Sequence, residues 1–288
     1  MRVGIVTNMC FPEMTFDNAN YFKVLEIINK YSFWSHLEIP PLPEPKDLAT
    51  LKEKLVGRDL VYLVQPSLIA KNLSLSSLDD EKRINAINLV CSEIHNAAFL
   101  GAKVVLFASG EIEGSNIDKQ KGALFLSLDQ ISKFAADYPK LKICIEPCDT
   151  DKDKKYVLGS NEDAKTLMKQ LRKKYHNIFL CIDLSHLPLL EEDPVDTLIT
   201  LKQYIGHIHL ANSVTDIRSA SYGDKHPRFL FPGSAINTNI LTKFLQEINN
   251  QELTKTCWVA AEVRPQRGED STVLLQLSEQ YLKNIKGQ

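Results

Sequence analysis

The sequence predicts an α/β chain closed into a (β/α)8 barrel, and three observations carry that prediction. Short apolar, often β-branched runs alternate with longer segments of helical period, the pattern of repeated βα units on a parallel sheet. There are eight such runs, at residues 2–7, 35–39, 60–64, 103–107, 142–146, 178–183, 205–211 and 257–262. The 288 residues accommodate a barrel of roughly 250 without leaving a second domain's worth of chain. Residues 1–288 are therefore expected to form a single domain.

The run at 2–7 opens the barrel. After it, Cys10, Phe11, Pro12 and Phe16 either wall a pocket with aromatic surface or pack the loop. The runs at 35–39 and 60–64 follow, and then comes the clearest helix. Asp79, Asp80 and Glu81 suit the positive end of a helix dipole. Ile84, Ile87, Cys91, Ile94 and Ala98 form its apolar stripe, and Gly101 supplies the stop. Val104-Val105-Leu106-Phe107 gives the fourth strand. Ile143-Cys144-Ile145-Glu146-Pro147 gives the fifth, and Leu180-Cys181-Ile182-Asp183 ends the sixth. His207-Ile208-His209-Leu210-Ala211-Asn212 closes the seventh, and Trp258-Val259-Ala260-Ala261-Glu262 the eighth. A last helix over about 271–285 presents Val273, Leu274, Leu277, Tyr281, Leu282 and Ile285 as an apolar face.

Composition narrows the function classes. With 44% apolar and 24% charged residues and a formal charge of -2, the chain has no basic surplus for a nucleic acid or an anionic membrane. Cys10, Cys91, Cys144, Cys148, Cys181 and Cys257 include no C-x-x-C pair, so reduced thiols in a cytoplasmic protein are expected. No stretch approaches the ~18 uninterrupted apolar residues of a membrane span, and neither secretion nor anchoring is expected. Oligomeric state is not legible here.

The chemistry is concentrated at strand ends. Glu146, Asp183, His209 and Glu262 each close one of four consecutive strands. Strand side chains alternate faces, so with Ile143, Ile145, Ile182, Ile208, Leu210, Val259 and Ala261 facing the helices, all four point inward. A single such residue is as readily a cap, a rim salt bridge or a core histidine. Four in one phase at the C-terminal mouth, where barrel enzymes keep their sites, point to a divalent metal ion. Three gathered carboxylates otherwise repel one another and lose solvation. His207 points inward one layer below His209, suited to supporting it rather than to ligation.

In this order, Val104-Val105-Leu106-Phe107, Ile145-Glu146-Pro147, Cys181-Ile182-Asp183-Leu184-Ser185-His186, Gly206-His207-Ile208-His209-Leu210-Ala211-Asn212, Phe231-Pro232-Gly233-Ser234 and Ala261-Glu262-Val263-Arg264-Pro265 resemble the xylose isomerase-like TIM barrels. That superfamily includes sugar phosphate isomerases and epimerases, D-tagatose 3-epimerase, inosose dehydratase and endonuclease IV. The resemblance implies that Glu146, Asp183, His209 and Glu262 ligate one Mn, Mg, Co or Zn ion. It also implies that Glu146 and Glu262 are the acid and base of a reaction on a sugar or sugar phosphate through a metal-stabilised cis-enediolate. By the same resemblance His186 contacts a substrate oxygen, and Arg264 is placed to meet a hydroxyl or phosphate.

Asp224 and His226 either lie over the sugar or, with His186, form a second metal site of the endonuclease IV type. The ends of strands 3 and 4, however, carry Gln65-Pro66 and Phe107-Ala108-Ser109-Gly110 where the nuclease has histidines, which makes cleavage of abasic DNA the lesser reading. Asn212 stands where many relatives have aspartate. The charged stretch 149–155 is a solvated loop from which a lysine can reach a substrate phosphate. An isomerase or epimerase is thus expected, against a dehydratase of the inosose type, a metallo-phosphodiesterase, or a non-catalytic metabolite-binding barrel.

Overall fold

A computed structural model describes residues 2–55 and 57–286, the side chain of Lys286 excepted. Its eight strands are β1 (Gly4–Val6), β2 (His36–Ile39), β3 (Asp59–Leu63), β4 (Val104–Ala108), β5 (Lys142–Glu146), β6 (Ile178–Asp183), β7 (Ile205–Leu210) and β8 (Trp258–Ala261). They pair in parallel in chain order, and β8 returns to β1. The fold is a closed (β/α)8 barrel. The principal helices behind the strands are α1 (Asn18–Ile28), α2 (Leu48–Lys54), α3 (Asp80–Leu100), α4 (Ile117–Ala135), α5 (Asn161–Leu171), α6 (Pro194–Leu201), α7 (Thr238–Asn250) and α8 (Ser271–Lys286). Among the described residues no helix is long and apolar enough to cross a membrane.

The alternation of strand side chains divides the core into two layers. Outward residues such as Ile5, Leu37, Ile145, Ile182, Ile208 and Val259 pack with Val90, Leu128, Phe244 and Leu274 of the helices. Inward residues Val6, Val61, Leu63, Val104, Leu106, Cys144, Cys181 and Ala260 fill the barrel. Each fully buried aliphatic side chain stabilises by about 1.5–3 kcal/mol relative to exposure. The outer layer therefore holds the helices on the barrel, while the inner layer forms a floor beneath the mouth.

Caps and boundaries follow local chemistry. Asp79 accepts from the backbone N–H groups of Glu81 and Lys82 at the start of α3, and Gly101 closes that helix in the left-handed conformation. Two helix faces are rotated from the sequence expectation. In α3 the buried stripe runs through Ile87, Val90, Ile94 and Ala97 while Ile84 is exposed; in α8 Leu274, Leu275, Leu282 and Ile285 are buried while Val273 and Leu277 are exposed. A stripe wider than the covered face leaves its edge residues in solvent.

Between β6 and β7 the register shifts: Leu180 pairs with Ile205, and the next pair is Cys181 with His207. Gly206 is the extra residue of this bulge. A Cβ on it would meet Phe179 Cβ at 2.6 Å and Cγ at 2.8 Å, so no other residue fits that close approach.

Candidate metal centre

Each of the last four strands delivers one side chain to the C-terminal mouth. Glu146 and Asp183 are the last residues of β5 and β6, His209 is the penultimate residue of β7, and Glu262 follows β8 directly. Asp183 pairs with His209 across β6 and β7, which brings them to one level. His209 Nδ1 lies 2.7 Å from Glu262 Oε2, 3.5 Å from Glu146 Oε1 and 3.9 Å from Asp183 Oδ2. One ligand atom from each of the four lies within 4.8 Å of all the others.

This donor set fits a divalent cation. Glu146 Oε1 is buried without a hydrogen-bond partner among the described residues, although buried polar atoms are ordinarily satisfied, and His209 Nδ1 faces three carboxylates at once. Three carboxylates and one imidazole nitrogen are a mixed O/N set of the kind that accepts Mn, Mg, Co or Zn. The charge pattern is strongly coupled. Burial works to raise the Asp183 pKa, yet His226, His186 and His209 hold it well below the usual carboxylate range. Burial raises the Glu262 pKa, with His226 and His209 opposing. For His209, burial is outweighed by Cys181, Glu262 and Glu38, which keep it well above its ordinary value.

Beside this centre lie His186, Asp224 and His226, all buried. His226 Nε2 is 3.1 Å from Asp183 Oδ2, and its Nδ1 is 3.4 Å from Asp224 Oδ1; His186 Nε2 is 3.8 Å from Asp224 Oδ2. Asp224 is further engaged by the Ser185 hydroxyl, which donates at 2.7 Å, and by Lys154 Nζ at 3.3 Å. Burial lowers the His226 pKa, but Asp224, Glu262 and Asp183 raise it to about 10. His226 has φ 48°, a left-handed conformation uncommon outside glycine, and its carbonyl accepts from the Arg264 backbone N–H at 2.7 Å. These contacts tie the loop after β7 to the end of β8.

Lys154 rises from the charged β5 loop, which Asp149 shapes by accepting from the backbone N–H groups of Lys152, Asp153 and Lys154. Arg264 is exposed and lines the mouth. The cavity measures about 370 Å³ and joins the four strand-end ligands to His186, Asp224, His226, Lys154 and Arg264, with Asn8, Gln65 and Tyr156 as further polar groups and Met9, Leu63, Ile69 and Leu106 as apolar wall. That is the size and mixed lining of a small-molecule site. In the first loop the packing alternative holds for Cys10 and Phe11, and Phe16 walls no part of this cavity. Cys10 and Phe11 are buried in the core and Phe16 is 72% exposed, while Asn8 and Met9 reach the cavity.

Sequence reasoning missed Glu38. It lies inside β2 at 0% exposure, with Oε2 2.9 Å from His209 Nε2 and Oε1 2.8 Å from His207 Nε2. Burial works to raise its pKa, but His207 and His209 hold it well below the usual carboxylate range. The available signal was an acid in the middle of a strand-like run, Ser35-His36-Leu37-Glu38-Ile39, two residues from His36 and so on the same face, since buried acids are rare unless paired.

The family described as "Xylose isomerase-like TIM barrel" matches residues 25–274. Among solved structures, 3-keto-D-glucoside 4-epimerase from E. coli superimposes with a TM-score of 0.72 at 14% identity, covering 100% of both chains. D-psicose 3-epimerase from Clostridium cellulolyticum H10 gives a TM-score of 0.75 at 17% identity over 99% of this chain and 98% of that one. An AP endonuclease of family 2 from Brucella melitensis gives 0.74 at 16% identity over 98% and 99%. At these identities the likeness establishes the fold. The sequence has no significant match among curated proteins.

Proposed function

Because the chain belongs to the xylose isomerase-like TIM barrel family, we propose that it is a divalent-metal-dependent isomerase or epimerase of a sugar or sugar phosphate. The observation that carries this reading is the convergence of Glu146, Asp183 and Glu262 on His209 Nδ1, with one ligand atom from each of the four within 4.8 Å of the others. It opens into a cavity large enough for a sugar. The epimerase neighbours support the same class.

Glu146, Asp183, His209 and Glu262 would hold the cation, which would supply Lewis-acid polarisation of a substrate carbonyl and so acidify the adjacent C–H. The chain's own groups do the rest. Glu146 on β5 and Glu262 after β8 approach the centre from different strands; one takes the proton from carbon and the other returns it, as general base and acid. His186, Asp224 and His226 provide donors and acceptors for hydroxyl groups, and Arg264 at the rim meets an outlying hydroxyl or a phosphate. Which glutamate removes the proton depends on the orientation of the sugar.

A nuclease reading draws on His186, Asp224 and His226 and on the Brucella neighbour. It needs ligands from the ends of β3 and β4 as well. There Gln65 Oε1 accepts from the Ala108 backbone N–H, and its Nε2 donates to the Tyr156 hydroxyl. The side chain is spent inside the protein, which favours the sugar reading.

The test is proton NMR in D2O on a panel of ketoses, aldoses and sugar phosphates incubated with chelator-stripped protein, with and without Mn2+, the metal being removed before recording. Metal-dependent loss of a carbon-bound proton signal is expected for at least one sugar. Glu146→Gln is expected to slow that exchange by about 10²–10⁴-fold, the usual scale of general acid–base catalysis. Exchange with no metal requirement, or none by any sugar, sinks the reading. A product lighter by one water identifies a dehydratase instead.

A further inference from the structure

We propose that Glu38 is the positioning residue of the metal centre: it fixes the His209 ring so that Nδ1 presents its electron pair to the cation, while His207 and His36 hold Glu38 in place. This rests on the metal-dependent reading above. Glu38 lies on β2 and His209 on β7, 171 residues apart in the chain, so the contact spans the interior of the barrel. Glu38 Oε2 is 2.9 Å from His209 Nε2, Oε1 is 2.8 Å from His207 Nε2, and Oε1 is 3.5 Å from His36 Nε2. All four side chains are buried.

An ionised carboxylate only accepts hydrogen bonds, and a neutral imidazole carries its proton on one nitrogen. The Glu38 contact therefore keeps the proton of His209 at Nε2 and leaves Nδ1 as the free donor atom. Nδ1 is the atom that faces Glu146, Asp183 and Glu262. A carboxylate behind a metal-bound histidine fixes both the tautomer and the orientation of the ring and raises its basicity. Glu38 is itself tethered. The His207 ring packs edge-on against His209 at 4.8 Å between centroids, and the His36 ring packs edge-on against Trp258 at 5.0 Å. The whole assembly sits on strands, where precise ligand geometry is best maintained.

The experiment measures Mn2+ binding to chelator-stripped full-length protein by electron paramagnetic resonance, comparing wild type with Glu38→Gln and Glu38→Asp well below their melting temperatures. Glu38→Gln keeps the shape but removes the charge and one acceptor. Its Mn2+ Kd is expected to rise roughly 10–100-fold, the usual cost of losing such a partner, with the melting temperature of the metal-free protein changing far less than the affinity implies. Glu38→Asp retains the charge at a shorter reach and is expected to bind with intermediate affinity. In the Zn2+-loaded wild type, nitrogen-15 NMR is expected to show a slowly exchanging Nε2–H on His209 that is lost in Glu38→Gln.

Wild-type affinity in Glu38→Gln, or a His209 proton resident on Nδ1 in the Zn2+-loaded protein, overturns the assignment while leaving the metal centre standing. Should Glu38→Gln fail to fold, unchanged affinity in Glu38→Asp overturns it equally. Absence of Mn2+ binding by the wild type is a different failure: it removes the metal-dependent reading and this inference with it.

Discussion

Replacing Gly4 by alanine would place a Cβ 2.3 Å from His36 Nε2, 2.4 Å from Cδ2 and 2.5 Å from Cε1. The ring would have to retreat by about 1 Å to regain the roughly 3.5 Å of an ordinary contact. It has little room to do so, with Trp258 packed at 5.0 Å between ring centroids and Glu38 at 3.5 Å. Overpacking a close-packed interior costs about 1–3 kcal/mol, and a collision with three atoms of a wholly buried ring belongs near the upper end. Alanine also reduces the freedom of the unfolded chain, which offsets about 0.4–1 kcal/mol. The net loss is about 2 kcal/mol, a fall in Tm of roughly 3 °C for a chain of 288 residues, whose unfolding entropy is about 0.6 kcal/mol/K. The assay is thermal unfolding of metal-free Gly4→Ala, His36→Ala and the double variant, followed by circular dichroism. Because the clash needs both partners, the double variant is expected to be at least ~1 kcal/mol more stable than the sum of the single changes implies. An unchanged Tm in Gly4→Ala, or strict additivity, would refute the packing argument.

Two further expectations concern the centre itself. Mn2+ at about 100 times its Kd is expected to stabilise the chelator-stripped protein by about 2.7 kcal/mol, or roughly 4–5 °C in Tm; a melting curve indifferent to every divalent cation tested would contradict the site. In the metal-free protein the His226 pKa is raised from 6.5 to about 10, so its contribution to stability is complete below pH 6.5 and is lost as pH rises through about 10. The Tm should accordingly decline from pH 7 to 10 and do so less steeply in His226→Gln, and a parallel decline in both proteins would count against the assignment.

What the sequence discloses and what it hides divide along physical lines. The boundaries of β5 and β6 are legible because apolar β-branched runs stop at Glu146 and Asp183, and the inward phase of Glu146, Asp183 and Glu262 follows from a period of two, whereas that of His209 depends also on the bulge at Gly206. Helix faces are less legible, because a 3.6-residue period shows that an apolar stripe exists but not how much of it the barrel covers. Ile84, Val273 and Leu277 fall on the uncovered margin. Glu38 is hidden for another reason: its two nearest imidazole partners, His207 and His209, lie on β7, and no local pattern announces a pairing across a barrel. The positions of Asp224 and His226 also depend on tertiary contacts, those with Ser185, Lys154 and the Arg264 backbone.

The extra residue at Gly206 has a bearing on how the centre is assembled. Ile205 faces the helices and His207 the interior although only one residue separates them, so unbroken alternation would have turned both histidines of β7 outward. The bulge acts as a half-step in the strand's odd–even count. It uncouples the side on which β7 enters the sheet from the side on which it delivers His209. Shortening the strand by that residue would force a choice between keeping Ile205 against the helices and keeping His209 among the carboxylates, so the parity of one strand, as much as the identity of any ligand, is a condition for the centre to exist.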